Sequence, residues 1–139
     1  MSSLSYELEL AKKRVNRFKD ASDELMRDYA EAMQCRHCEE VLAAGIHAFH
    51  TIQRADQVLR EAAREGIAAP DDAPKAVEFL YRVWLTPCDF VHQWIQKLAA
   101  ANYRPDRLDE FNDACRQVRE ALAVIDSLSA IDAIHTEGF

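Results

Sequence analysis

The sequence predicts an all-α fold, an antiparallel four-helix bundle, on three observations. Glycine and proline number only 3 and 4 in 139 residues, so the chain offers few of the turns that a many-stranded fold needs. Good helix formers, above all Ala, Glu, Arg and Leu, are abundant. Apolar residues recur in alternating steps of four and three, the rhythm of a helix face turned toward a core.

The first segment, expected over about 4–33, carries its seam on Leu4, Leu8, Ala11, Val15, Phe18, Ser22, Leu25, Tyr29 and Ala32, with Ser22 as the polar exception. The second, about 37–65, continues on Cys38, Val41, Gly45, Ala48, Ile52, Ala55, Leu59 and Ala62. Arg64-Glu65-Gly66 reads as its end, with glycine just past the last turn. The third segment, about 74–101, opens at Asp71-Asp72-Ala73-Pro74, with acids and a proline suited to a first turn. Its seam is Val77, Tyr81, Trp84, Cys88, Val91, Ile95 and Leu98, and Asn102 suits the left-handed closing residue. Pro87 lacks a backbone donor, which predicts an unpaired Val83 carbonyl and a kink. The fourth, about 105–134, is expected to hold Pro105 in its first turn and to bury Leu108, Phe111, Cys115, Val118, Leu122 and Ile125. Four matched lengths joined by short loops suit an antiparallel bundle.

Between the first two segments the rhythm slips, from Met33 to Cys38. Projected on one helix, their seams would face directions about 135° apart. The leading expectation is a break within that stretch. Its alternative is one continuous helix of about 60 residues, ~90 Å at 1.5 Å per residue, which only an oligomer could cover along its length.

The length predicts a single domain over 1–139, able to bury about 70% of its unfolded surface. A net charge of −7 opposes binding to nucleic acid or anionic lipid, since both reward neutralised phosphates. No apolar run approaches the ~18 residues of a membrane span, and MSSLSYELEL lacks the layout of a signal peptide. These features predict a cytoplasmic protein with no membrane and no nucleic-acid partner, whose cysteines stay reduced.

Cys35-Arg36-His37-Cys38 has the spacing of half a zinc site, but no second pair follows, only the single Cys88 and Cys115. Cys38, Cys88 and Cys115 lie on core seams, where a reduced cysteine acts as a small hydrophobe. The antiparallel register brings His50, Cys88 and Cys115 to one height, with His47 and His92 about a turn away. His47 and His50, however, project about 150° from the centre of their apolar face and should point outward. No metal and no cofactor is therefore expected. A bundle holding metal, haem or a small ligand through Cys35, His37 and Cys38, or through Cys88, His92 and Cys115, is the competing reading. The Glu-x-x-His pairs of di-iron bundles, HExxH and glycine-rich phosphate loops do not occur, so no catalytic residue is singled out.

The third segment is the most apolar. Beside its seam it carries Phe79, Val83, Phe90 and Trp94 on an adjacent stripe, worth on the order of 600 Å² at ~150–250 Å² per aromatic ring. Three things could cover it: the other helices, a partner, or a small molecule beside Pro87. The resulting expectation is a non-enzymatic interaction module, an assembly, adaptor or regulatory subunit, that forms a homo-oligomer, a dimer by preference, or binds another protein. Phe79, Val83, Phe90 and Trp94 would anchor that interface, with Arg82 and Lys97 at its polar rim.

Overall fold

The computed structural model describes residues 4–27, 35–67, 72–100, 102 and 104–137, with side chains except at 26, 35–38 and 129–137. The chain forms four helices, α1 (Leu4–Arg27), α2 (Cys35–Arg64), α3 (Ala73–Ala100) and α4 (Leu108–Glu137). Cross-helix bonds set their directions. Glu7 accepts from Arg54 at 2.9 Å and Arg14 donates to Thr51 at 2.7 Å, so α1 runs antiparallel to α2. That pairing rules out the continuous helix, because a straight rod through Met33–Cys38 would hold Glu7 and Arg54 far apart. The residues that join α1 to α2, and the expected seam positions Tyr29 and Ala32, lie outside the described residues.

Trp84 donates its indole N–H to the Gly45 carbonyl at 2.8 Å, tying α3 to α2. Arg82 to Asp126 at 2.6 Å and His92 to Asn112 at 2.9 Å set α4 antiparallel to α3. Gln53 to Gln117 at 3.1 Å, and the Asp106 N–H to Glu39 at 3.2 Å, place α4 parallel to α2. α2 and α3 form the central pair, each packed against the other three helices. α1 and α4 take opposite corners and meet through the Phe18 and Phe111 rings, 6.2 Å apart between centroids.

The core explains why the seams are spaced as they are. Trp84 sits at its middle, with ring centroids 5.8 Å from Phe18, 5.7 Å from Phe49 and 5.9 Å from Phe111. Gly45 lets that cluster close. A Cβ there would lie 2.9 Å from both Phe111 Cε2 and Phe18 Cε1, so the absence of a side chain is what allows both rings against α2.

The helix ends follow the expected chemistry, with one correction. Gly66 has φ 71°, and the bonds Ile67 N–H to Ala62 O (2.9 Å) and Gly66 N–H to Ala63 O (3.3 Å) close α2 in the double-bonded glycine cap. The Asp72 carbonyl accepts the first bond of α3, from Ala76 at 2.9 Å, and Asn102 takes φ 62°. Pro105, expected inside the first turn of α4, instead precedes it. It is buried, and its carbonyl accepts the Leu108 N–H at 3.3 Å, where α4 begins. Burying the proline ring against the bundle holds the chain in a turn for three residues before regular helix starts. α3 runs unbroken through the buried Pro87, and carbonyls beside it accept side chains, Arg82 O from Thr86 and Trp84 O from Cys88, each at 3.1 Å. Among the described residues, no helix is long and apolar enough to cross a membrane.

Candidate functional site

The concentrated chemistry of the molecule lies between α3 and α4. Cys88 and Cys115, 0% and 1% exposed, come from the seams of two antiparallel helices, and the Cys88 thiol donates to the Trp84 carbonyl at 3.1 Å. Seam spacing puts them there: each occupies a position that the helix period turns inward, at heights matched by the bonds Arg119–Asp89 (3.4 Å) and His92–Asn112 (2.9 Å). His92, one turn along α3 from Cys88, is half-buried. Its Nε2 meets Asn112 Oδ1, and Asn112 is exposed. These four residues, Cys88, Cys115, His92 and Asn112, form a group where α3 packs against α4.

Its electrostatics are unequal by construction. Burial, reinforced by the hydrogen bond to Cys115, pushes the Cys88 thiol far above its ordinary value. Cys115 moves the opposite way, drawn down by the hydrogen bond from Cys88 and, against the cost of burial, by His92 and the positive charge of Arg119. His92 is raised by its bond to Cys115, against burial, with help from Asn112.

Cys88 and Cys115 are both buried where α3 packs against α4, and His92 is half-buried one turn along α3. Among the described residues no group of three or more His, Cys, Asp or Glu is arranged to hold a metal ion. The other candidate set, Cys35, His37 and Cys38, has side chains outside the described residues. His47 and His50 point away from the core, as their angle predicted. They line an open groove of about 770 Å³ with Arg14, Arg17, Arg107 and Glu110. Burial, then the charges of Arg14 and Arg17, lower the His47 pKa, and His50 faces Glu110 at 3.5 Å.

The apolar stripe of α3 divides. Trp94 is 1% exposed and belongs to the core, Val83 and Phe90 are half-buried against it, and Phe79 is 63% exposed. Arg82 is held by Glu78 at 2.9 Å and Asp126 at 2.6 Å, and Lys97 is exposed. Sequence periodicity could place Trp94 beside the seam but not reveal that the arc of α3 facing its neighbours is wide enough to include it. Asn112 is absent from the sequence-based candidates because a lone surface asparagine carries no sequence signal. Its role appears only once α4 is docked against His92. No protein-family model, curated protein or solved structure matches the chain.

Proposed function

We propose that this protein is a non-enzymatic helical interaction module, an assembly, adaptor or regulatory subunit of the reducing cell interior, that pairs with a second copy of itself. One observation carries the reading. The five large apolar side chains exposed among the described residues, Tyr6, Ile67, Phe79, Val124 and Leu128, all fall in the half of the bundle marked by the Glu7–Arg54 and Arg82–Asp126 bonds. Surface hydrophobes scattered singly need no explanation, whereas a set gathered at one end favours a covered surface. Phe79 is the anchor in this reading, with Val83 beside it. Arg82, Glu78 and Asp126 supply both signs of charge at the rim, which suits a two-fold contact in which one patch meets its own copy. Phe90 and Lys97 lie farther along α3, toward its end, and contribute less. Trp94, expected to be an anchor, instead supports the interface from within the core.

The test is the mass of the full chain in solution, by light scattering after size exclusion across a concentration series. The wild type is expected to be a dimer. Phe79→Asp should weaken association by about 2 kcal/mol, close to 30-fold in Kd, with helicity and thermal midpoint nearly unchanged. A wild type that stays monomeric at high concentration, or a Phe79→Asp dimer of unaltered affinity, would sink the proposal.

A further inference from the structure

We propose that the groove between α1 and α2 binds a small zwitterion, a short peptide of about three residues, with its carboxylate at one end of the groove and its ammonium at the other. The groove holds about 770 Å³ and is lined by α1, α2 and the start of α4, with no residue from α3, so it is separate from the surface around Phe79. That volume lies within the ~300–1,000 Å³ of small-molecule sites.

Sequence spacing and helix direction together build two charged ends. On α1, Arg17 and Glu24 are seven residues apart, and on α2 so are Glu40 and His47. Seven residues make nearly two turns, so each pair shares one face and spans about 10 Å along its helix. The two helices run antiparallel in the register of the Arg14–Thr51 bond, 2.7 Å. That register brings Arg17 level with His47 and Glu24 level with Glu40. Like charges therefore face like at both ends, and all four residues line the groove. Arg14 and His50 add to the basic end and Asp20 to the acidic end, while Ala21, Ala43 and Ala44 line the uncharged stretch between.

Facing like charges repel, and the arrangement lacks an opposite charge on each side. At the basic end, Arg14 gives one N–H to the Thr51 hydroxyl, which is itself fixed by donating to the His47 carbonyl at 2.9 Å. The guanidinium is thus held in place with donors to spare. Neither Arg14 nor Arg17 pairs with a carboxylate among the described residues. Burial, then the charges of those two arginines, hold the His47 pKa down. The α4 side supplies one opposite charge to each end: Glu110, 3.5 Å from His50, and Arg107, brought toward Glu40 by the bond from the Asp106 N–H to Glu39. Each is outnumbered by the charges it faces.

A free peptide supplies both missing charges on one molecule. An extended chain spans ~3.3–3.6 Å per residue, so three residues match the separation of about 10 Å between the ends. A single amino acid cannot reach both, and an inorganic anion satisfies only one. Small side chains suit the alanine-lined middle.

The experiment is an NMR titration of the isotope-labelled full chain at low ionic strength, where exposed charges are least screened, with trialanine as the probe. Saturable shifts are expected at the groove residues, with a Kd of about 1 mM or tighter. N-acetyl-trialanine, which lacks the ammonium, and trialanine amide, which lacks the carboxylate, should each bind about tenfold more weakly. Arg17→Gln should weaken trialanine by a similar factor and leave the amide unaffected, and Glu24→Gln should do the same with the acetylated peptide as the unaffected one. Both positions are exposed, so circular dichroism of the variants should match the wild type. Absence of saturable shifts with trialanine would overturn the proposal, as would variants that bind all three peptides as the wild type does. Acetylated peptide or inorganic phosphate binding as tightly as trialanine would also overturn it, leaving a site for anions alone.

Discussion

Replacing Gly45 with alanine puts a measurable number on the closest approach in the bundle. In isolation the change should stabilise α2, because alanine is about 1 kcal/mol better than glycine inside a helix. The packing opposes it. The new methyl would lie 2.9 Å from Phe111 Cε2, 2.9 Å from Phe18 Cε1 and 3.1 Å from Phe18 Cζ, well inside the ~3.5–4.0 Å optimum for carbon contacts. Neither ring can withdraw freely, since Phe18, Phe111 and the Trp84 they pack against are all fully buried. Overpacking of this kind costs about 1–3 kcal/mol. Pushing α3 away would also stretch the Trp84 bond to the Gly45 carbonyl, now 2.8 Å, at about 1 kcal/mol more. The net expectation is destabilisation by about 1–3 kcal/mol, or roughly 3–10 °C in thermal midpoint for a chain of this size. Urea and thermal unfolding followed by circular dichroism measure it. Phe111→Leu supplies the internal check: alone it opens space and destabilises, but combined with Gly45→Ala it should cost less than the two changes added, by about 0.5–1 kcal/mol or more. A Gly45→Ala protein more stable than wild type, or strict additivity of the pair, would refute the reasoning.

The remaining predictions follow from groups with unequal surroundings. Glu7 is 2% exposed and takes Arg54 at 2.9 Å, so Arg54→Met should cost about 2–3 kcal/mol by leaving its carboxylate uncompensated. Adding Glu7→Leu to that variant should recover most of the loss in the same unfolding assay. Gly66 has φ 71° and open space around it. Gly66→Ala should therefore destabilise by about 1 kcal/mol through backbone strain alone, with no coupling to core variants. The two surface-linked histidines should bend the pH profile in opposite directions. His47 is lowered by burial and by Arg14 and Arg17, so the unfolded chain takes its proton first and stability falls as pH drops through the ordinary value of 6.5. His92 is raised, so its contribution is complete below 6.5 and is lost as pH rises through its higher folded value. Thermal midpoints at pH 5.5 and 7.5 check this: His47→Gln should flatten the acid-side fall and His92→Gln should steepen it. The same sign for both variants would contradict the assignment.

Much of this fold is legible in the order of residues along single helices. The seams Ala11–Val15–Phe18–Ser22–Leu25, Trp84–Cys88–Val91–Ile95 and Phe111–Cys115–Val118–Leu122 are buried as their spacing required, because a 3.6-residue helix allows one inward arc and polar residues fill the rest. The stops at Gly66 and Asn102 are legible for a similarly local reason, since few residue types tolerate positive φ. The outward direction of His47 and His50 also follows from angle alone. Each of these is a property of one helix and its own residues.

The tertiary structure decided what depends on two helices at once. Whether α1 doubles back is open in the sequence, and the Glu7–Arg54 and Arg14–Thr51 bonds resolve it. The start of α4 lies past Pro105 because burial of that ring, a long-range matter, overrides its local fitness for a first turn. Trp94 leaves the exposed stripe for the core, since the width of the buried arc depends on how many neighbours surround α3, and here α3 touches all three. The sequence could match the heights of Cys88 and Cys115, with His92 about a turn away, but not the link from His92 to Asn112, because register fixes position along the axis while only helix docking fixes the angle between facing side chains.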